Sequence, residues 1–305
     1  MKIIKFVEEN VSLVLLIGIP LGLIFPFFGS LKWSLKYILM FVLFVSFLKI
    51  DFDELILFIK RPFIPVYVTL ANLLLVPVAM FFLLKLFGTE NDLLAAILLL
   101  SAVPSGVASA AMTELSEGDS ALTLVITIFS HFLAPISIPV LFYLLMGKTV
   151  KLNYTGVSMT MAELILVPFL LAFIFRKFFG KATLALKNYG TFLTAVPISF
   201  ISLIVMSVNA PFIYKHPILL IKYLLVIYPV YFLFALSGLT EAFFLNNKQK
   251  IAVANSKVFM NVSIGIVLAM QFFDPKVALI ITLSQIPWPT MLPPVNFIYK
   301  KLHLR

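Results

Sequence analysis

The pattern of hydrophobic and polar positions divides the chain into long apolar segments separated by short polar connections. A helix that spans the hydrocarbon core of a bilayer needs roughly 20 mostly apolar residues, and most of the segments reach that length. The pattern therefore predicts an all-α polytopic membrane protein of about ten transmembrane helices. The predicted segments are residues 11–29, 33–50, 64–87, 93–113, 120–147, 155–178, 190–210, 217–246, 250–273 and 276–299.

Two segments half a chain apart share a pattern of prolines. The fifth contains Pro135 and Pro139, and the tenth contains Pro289 and Pro293, so both pairs have a spacing of four. This similarity indicates an internal duplication. Because five spans per half is an odd number, the second half would cross the membrane in the opposite direction, as in carriers that work by alternating access. The predicted five-helix repeats are residues 1–150 and 151–305.

The fourth and ninth segments are interrupted in their middle. The fourth carries Pro104 and Gly106, which both weaken helical hydrogen bonding, and the ninth places Asn255, Lys257 and Asn261 at a similar depth. Unwound backbone exposes carbonyl groups to a cation and N–H groups to an anion. Paired breaks therefore predict a transport site between these helices, with ordinary proline kinks as the alternative.

Composition agrees with a membrane protein that has no large soluble domain. Of the 305 residues, 62% are hydrophobic and 12% are charged, and the mean hydropathy is +1.11. The net charge of +10 comes from basic residues scattered at segment ends, so the predicted partner is the lipid bilayer and not nucleic acid. The chain has no cysteine, which excludes disulfides and thiol chemistry.

Basic residues are distributed unequally between the two ends of the segments. With a cytoplasmic N-terminus, the positive-inside rule is satisfied and both termini are cytoplasmic; we expect the inner membrane of a prokaryotic cell. The cytoplasmic ends then carry Lys2, Lys5, Lys49, Lys60, Arg61, Arg176, Lys177, Lys181, Lys187, Lys248, Lys250, Lys300, Lys301 and Arg305. The opposite ends carry Lys32, Lys36, Lys85, Lys148, Lys151, Lys215 and Lys276. Lys222 and Lys257 lie inside segments.

Several motifs, taken in order and spacing, resemble those of the bile acid:sodium symporter family over nearly the whole chain. They are Gly18-Ile-Pro-Leu-Gly22 with Phe25-Pro26, Arg61-Pro62, Pro104-Ser-Gly106 with Ser109, and Gly118-Asp119-Ser-Ala-Leu. The resemblance implies ten helices in a panel domain and a core domain, with the fourth and ninth helices crossing in the core. It also implies transport of organic anions, often with sodium.

Only some of the sodium ligands that the resemblance implies are present in this chain. Asn72 matches a family amide, and Ser109, Thr123 and Thr127 match family hydroxyls. Thr123 and Thr127 form one polar stripe with His131, since the three recur at every fourth residue.

Two positions depart from the family pattern. Ala110 stands where the family has Asn, and the family's Glu-x-x-x-Gln-Asn aligns with the run Ser256 to Asn261. The shared carboxylate is therefore missing, and Lys257 places an ammonium beside the gap. Sodium beside an uncompensated ammonium is unfavourable in a low-dielectric site. The resemblance implies sodium as the coupling ion, but these two departures argue against it.

The candidate site residues fall into two sets. Lys257 is interpreted as a tethered substitute for sodium or as a direct partner of the anion, with a lysine that reaches water as the alternative. Glu163 either exchanges protons with His131 or makes a structural hydrogen bond. The substrate-binding set is Ser105, Gly106, Val107, Asn261 and Lys257. The set for ion binding or coupling is Asn72, Ser109, Thr123, Thr127, Ser256, His131 and Glu163.

A secondary carrier of a small organic anion, independent of sodium or coupled to protons, is the leading functional prediction. An auxin-efflux-type or arsenical efflux permease of similar architecture is the alternative. No enzyme and no cofactor are expected, because an intramembrane hydrolase needs a nucleophile and a base within reach, and Ser130 points to a different helix face from His131. A channel is disfavoured by the inverted repeat. Substrate, direction and oligomeric state are left open.

Overall fold

The computed structural model describes residues 2–50, 62–147, 149–150 and 152–304, without the side chains of residues 2, 3 and 5. Within these ranges the chain forms helices and one isolated antiparallel bridge, between Ser105 and Met260. The predicted all-α class is therefore confirmed. Several basic residues of the orientation argument lie outside the description: Lys60, Arg61, Lys148, Lys151 and Arg305, together with the side chains of Lys2 and Lys5.

The first half of the chain contains eight described helices and two irregular helical segments. A 3-10 segment, Pro26–Ser34, leads into the third helix, and a π turn, Ala71–Leu75, joins the fourth helix to the fifth. The helices are α1 Lys2–Glu9, α2 Val11–Ile24, α3 Leu35–Leu48, α4 Phe63–Leu70, α5 Val76–Leu86, α6 Asn91–Ala102, α7 Ser109–Leu115 and α8 Ser120–Met146.

The second half begins with long helices and ends with short ones. Its helices are α9 Tyr154–Phe178, α10 Gly180–Asn188, α11 Gly190–Lys215, α12 Ile218–Glu241, α13 Asn247–Val258, α14 Val262–Phe272, α15 Pro275–Leu283, α16 Pro287–Thr290 and α17 Leu292–Lys301. Asp119 caps α8, since its side chain accepts a hydrogen bond from Leu122 N at 2.9 Å.

Six helical stretches among the described residues are long and apolar enough to cross a bilayer. They are Pro26–Leu48, Phe63–Leu86, Ser120–Met146, Tyr154–Phe178, Gly190–Lys215 and Ile218–Glu241. The chain is therefore an integral membrane protein. Three shorter apolar helices, α2, α6 and α14, fall in other predicted segments. The count of ten transmembrane helices stays a prediction.

The fifth and tenth segments differ in structure although their sequences are alike. The fifth is one helix, α8, which runs through Pro135 and Pro139. The tenth is divided into α15, α16 and α17. Four prolines between residues 287 and 294 remove backbone donors within two turns, which explains the division. The inverted repeat therefore stays a prediction, which rests on the sequence pattern and on the two matched breaks.

The helices pack in two groups around the breaks. Helix α11 contacts α2 and α3, and α3 also contacts α9, whereas α4, α8, α12 and α15 surround the interrupted segments. Helix α2 approaches α11 closely because Gly18 and Gly22 have no side chain, and a Cβ atom on either would overlap the α11 backbone. Small residues allow such contacts in membrane proteins, where packing drives helix association.

Candidate functional site

The two predicted breaks are both present, and they meet. Helix α6 ends at Ala102 and helix α13 ends at Val258. In the unwound backbone that follows each, Gly106 N donates to Phe259 O at 2.9 Å and Asn261 N donates to Pro104 O at 2.8 Å. The breaks thus form a short antiparallel crossing that satisfies backbone groups buried in a membrane protein.

Local chemistry explains where the first break lies. A residue before proline is disfavoured in the α conformation, and Val103 is extended, with ψ of 150°. Gly106 permits the crossing, because a Cβ atom there would lie 2.7 Å from Phe259 O. Trp288 supports the second break by donating its indole N–H to Met260 O at 3.0 Å.

Hydroxyl groups form a closed network behind the crossing. Ser109 Oγ lies 3.0 Å from Ser105 Oγ and 3.3 Å from Thr127 Oγ1. Thr127 Oγ1 also donates to Ser105 Oγ at 3.1 Å, and Thr123 Oγ1 donates to Thr113 Oγ1 at 3.0 Å. Of the three hydroxyls that the resemblance indicated as ion ligands, those of Ser109 and Thr127 therefore contact each other, whereas that of Thr123 bonds to Thr113.

His131 extends this polar stripe to the second break. Its Nδ1 lies 2.7 Å from Thr127 O, which can only accept, so Nδ1 carries the proton and Nε2 accepts from Asn261 Nδ2 at 3.3 Å. Asn261 Oδ1 caps α14 by accepting from Ile264 N at 3.3 Å. Both ends of the Asn261 side chain thus hold the break in place.

Lys257 is buried and its ammonium is held by backbone. Nζ donates to Asn72 O at 2.7 Å and to Ser101 O, and it lies 5.6 Å from the centre of the Phe234 ring. Two carbonyl oxygens and an aromatic face are typical surroundings of a cation. The snorkelling alternative is wrong, because only 2% of Lys257 is exposed.

Both carbonyl oxygens are free because the helices that carry them are irregular. In the π turn, Val76 N bonds to Ala71 O; the matching donor for Asn72 O would be Pro77 N, which has no hydrogen. Ser101 O would normally accept from Ser105 N, but that group donates to Ser130 Oγ at 3.1 Å. Irregular backbone thus creates an ammonium site.

Glu241 supplies a carboxylate that the sequence analysis missed. It ends α12, and its backbone O accepts a hydrogen bond from the Tyr67 hydroxyl at 3.4 Å. Its Oε2 is buried and has no hydrogen-bond partner among the described residues. Glu241 was overlooked because it lies near a segment end, where a carboxylate is normally solvated.

Among the residues that the resemblance assigns to sodium, Asn72 has a buried Oδ1 without a partner among the described residues, but the Lys257 ammonium already binds its backbone O. Asn72 Nδ2 donates to Ser256 Oγ at 3.0 Å, which joins the two side chains that flank the Lys257 ammonium. A second cation beside that ammonium would be repelled. The serine and threonine hydroxyls bond to one another, and the set of Asn72, Ser109, Thr123, Thr127 and Ser256 contains no carboxylate.

A cavity of about 630 Å³ opens beside the crossing. Exposed side chains at its mouth belong to Glu8, Lys49 and Glu114, which lie at helix ends that we expect to be cytoplasmic. Its volume suits a small organic molecule, and its wall is mostly apolar with a few polar groups. The deeper part is lined by Gly106, Val107, Asn261, Ser263, Gln285 and Trp288.

Gln285 is the second residue that the sequence analysis missed. Ser202 Oγ donates to Gln285 Oε1 at 2.5 Å, which fixes the amide orientation. Gln285 is 5% exposed, lines the cavity, and has an Nε2 group with no partner among the described residues. A buried amide N–H group without an acceptor is unfavourable. A ligand oxygen that accepts a hydrogen bond from Gln285 Nε2 would therefore be stabilised there.

Some predicted site residues lie elsewhere. Ser105 and Lys257, predicted to contact the substrate, are buried and do not line the cavity. Glu163 is 48% exposed and pairs with Lys36 at 2.5 Å, whereas His131 bonds to Thr127 and Asn261. The structure therefore gives Glu163 the structural partner that was the alternative, because its helix turns the carboxylate towards α3.

Comparison with known proteins yields one family model and several distant relatives. The model described as the sodium bile acid symporter family matches residues 37–219. An uncharacterized sodium-dependent transporter of Bacillus subtilis, YocS, is 24% identical over 183 residues, 59% of this chain and 56% of its own. Two probable chloroplastic sodium/metabolite cotransporters of rice (Oryza sativa subsp. japonica) match shorter stretches.

The rice proteins, BASS1 and BASS2, are 29% and 28% identical over 33% and 37% of this chain, and 25% and 27% of their own. The chain thus spans from a quarter to just over half the length of these curated relatives. The segment matched by the family model contains Asn72, the first break and α8, and it ends before Glu241, Lys257 and Gln285.

Proposed function

Because the chain belongs to the sodium bile acid symporter family, we propose that it is a secondary carrier, and not an enzyme, for a small organic anion. The anion binds in the cavity beside the crossing, and access alternates as one helix group moves against the other. Lys257 stands in for a sodium ion, so transport does not require sodium. Ten spans, inverted repeats, cytoplasmic termini and a prokaryotic inner membrane belong to the same proposal.

The observation that carries this proposal is the Lys257 ammonium bound to two backbone carbonyls. A fixed positive charge lies three residues before Met260 in a buried region, and Met260 lines the cavity. Charges interact strongly where water is excluded. An anion in the cavity is therefore attracted without direct contact, and a dissociable cation at this position is unnecessary.

Uptake into proteoliposomes tests the proposal. We would measure accumulation of radiolabelled acetate, benzoate and cholate, which differ in size and all carry one carboxylate. Saturable uptake of at least one probe, with the same rate in sodium and potassium buffers, is the expected result. Saturable dependence on sodium would contradict the tethered-cation role of Lys257. Failure of all three anions to enter or bind would overturn the assignment to organic anions.

Gln285 should contribute directly to the affinity for the anion. A hydrogen bond to a charged group contributes about 1.5–3 kcal/mol, so Gln285→Leu should weaken binding of the best probe by about tenfold or more. Isothermal titration of the purified protein in detergent measures this effect. Gln271→Leu, the same substitution at an exposed position of α14, is the matched control. Equal affinities in the two variants would remove Gln285 from the site.

A further inference from the structure

Another cavity, of about 480 Å³, is a groove on the outer surface of the helix bundle between α3 and α9. Every described residue that lines it is apolar, and Phe41 and Leu171 are exposed on it. Both helices belong to stretches that are long enough to cross the bilayer, so this α3–α9 groove faces lipid and not water. It begins at Met40 and Pro168, near the middle of the two stretches, and ends at Phe179, just beyond α9.

The length of the groove matches one leaflet of a bilayer. The part of α9 from Pro168 to Phe178 rises about 15 Å, at about 1.5 Å per residue. The hydrocarbon core of a bilayer is roughly 30 Å thick. The groove therefore runs from the middle of the membrane to one of its surfaces, which is the reach of one acyl chain.

Aromatic contacts hold the surface end of the groove in shape. Phe44 and Phe175 meet edge to face, with ring centres 5.6 Å apart, and Phe175 stacks on Phe179 at 5.0 Å. At the same end, the Arg176 guanidinium donates to Ile50 O at 2.6 Å, which ties α9 to the chain after α3. A ligand that enters a preformed groove loses less binding energy to rearrangement of the protein.

Two exposed lysines flank the surface end of the groove. Lys177, in α9, lies two residues before Phe179, and Lys181, in α10, lies two residues after it. The Lys177 ammonium lies 5.7 Å from the centre of the Phe178 ring, and neither lysine forms an ion pair with a described residue. Residues 164–240 contain no aspartate or glutamate, so this segment has no negative charge of its own to balance the two lysines.

We propose that the α3–α9 groove binds one acyl chain of an anionic phospholipid, whose phosphate group is held by Lys177 and Lys181. The groove provides apolar contact for the chain, and the two ammonium groups select the charge of the headgroup. Two lysines near a membrane surface favour an anionic headgroup over a neutral one by about tenfold or more. Ordinary boundary lipid would occupy the groove without this preference.

Native mass spectrometry of the purified protein, titrated with phosphatidylglycerol or with phosphatidylcholine of identical chains, tests this site. The wild type should bind phosphatidylglycerol about tenfold or more tightly and should unfold at a higher temperature with it than with phosphatidylcholine. The double variant Lys177→Gln with Lys181→Gln should lose the preference and keep the weaker affinity. Ile174→Trp, which adds an indole to the groove from an exposed position, should weaken the binding of both lipids.

The matched control is Lys300→Gln with Lys301→Gln, because it removes two exposed lysines at the end of α17 and changes the net charge equally. This control should keep the preference for phosphatidylglycerol. Equal binding of the two lipids by the wild type, or an unchanged preference in the variant of Lys177 and Lys181, would overturn the site. Inorganic phosphate should not raise the unfolding temperature, and a rise as large as that with phosphatidylglycerol would overturn the role of the acyl chain.

Discussion

Lys257→Ala is expected to abolish uptake of the organic anion and to lower the stability of the protein. The substitution leaves the carbonyls of Asn72 and Ser101 without their donor. A buried acceptor that is left without its partner costs about 1–3 kcal/mol. Thermal unfolding in detergent and uptake into proteoliposomes measure the two effects.

Two further variants separate charge from packing. Lys222→Ala removes an exposed lysine that pairs with Glu90 at 3.2 Å, so its effect should stay within about 1 kcal/mol. Lys257→Met removes the charge but keeps most of the side-chain volume, so it should lose the uptake as Lys257→Ala does while it retains more of the stability. Methylammonium should partly restore uptake by Lys257→Ala. Normal uptake and stability of Lys257→Ala alone would contradict the proposed site.

Gly106→Ala is expected to have the second largest effect, because a Cβ atom at this position would lie 2.7 Å from Phe259 O. The two unwound segments would have to separate, which weakens the hydrogen bonds from Gly106 N and Asn261 N. Overpacking of this kind costs about 1–3 kcal/mol. Because these segments also line the cavity, we expect anion binding to fall together with the thermal stability.

Gly180→Ala is the matched control for this prediction. A Cβ atom at Gly180 would meet no described heavy atom within 4 Å, and alanine is the better helix former at the start of α10. This variant should therefore be as stable as the wild type or slightly more so. If Gly106→Ala unfolded at the same temperature as Gly180→Ala and bound the anion equally well, the close crossing would not be needed for function.

The first break could be predicted from the sequence because its causes are local. Pro104 lacks a backbone donor and restricts Val103, and Gly106 lacks a side chain, so three neighbouring residues specify the interruption. The cap at Asp119 was predictable for the same reason. The helical class followed from the length and apolar character of the segments.

The surroundings of Lys257 could not be predicted, because they come from distant parts of the chain. Its ammonium bonds to carbonyls 185 and 156 residues away, and a carbonyl group is present at every position of any sequence. Glu241 and Gln285 were missed for a related reason. Each is recognisable only once the fold shows a buried polar atom without a partner.

Glu163 shows the opposite error. A carboxylate in the middle of an apolar segment is a candidate coupling residue, since burial of its charge is unfavourable. In the structure it lies at the surface of the helix bundle and pairs with Lys36. Sequence position gives the depth of a residue along a helix but not which side of the bundle it faces, and that side decides its role.

The π turn has a consequence for how this site can be altered. Alanine at position 72 or 101 would keep the carbonyl oxygen that binds Lys257, so scanning mutagenesis of the residues in contact with the ammonium would leave those two bonds in place. The site depends instead on two prolines. Pro77 has no N–H group to donate to Asn72 O, and Pro104 ends helix α6. The cation site of this protein is thus encoded by residues that never touch the cation.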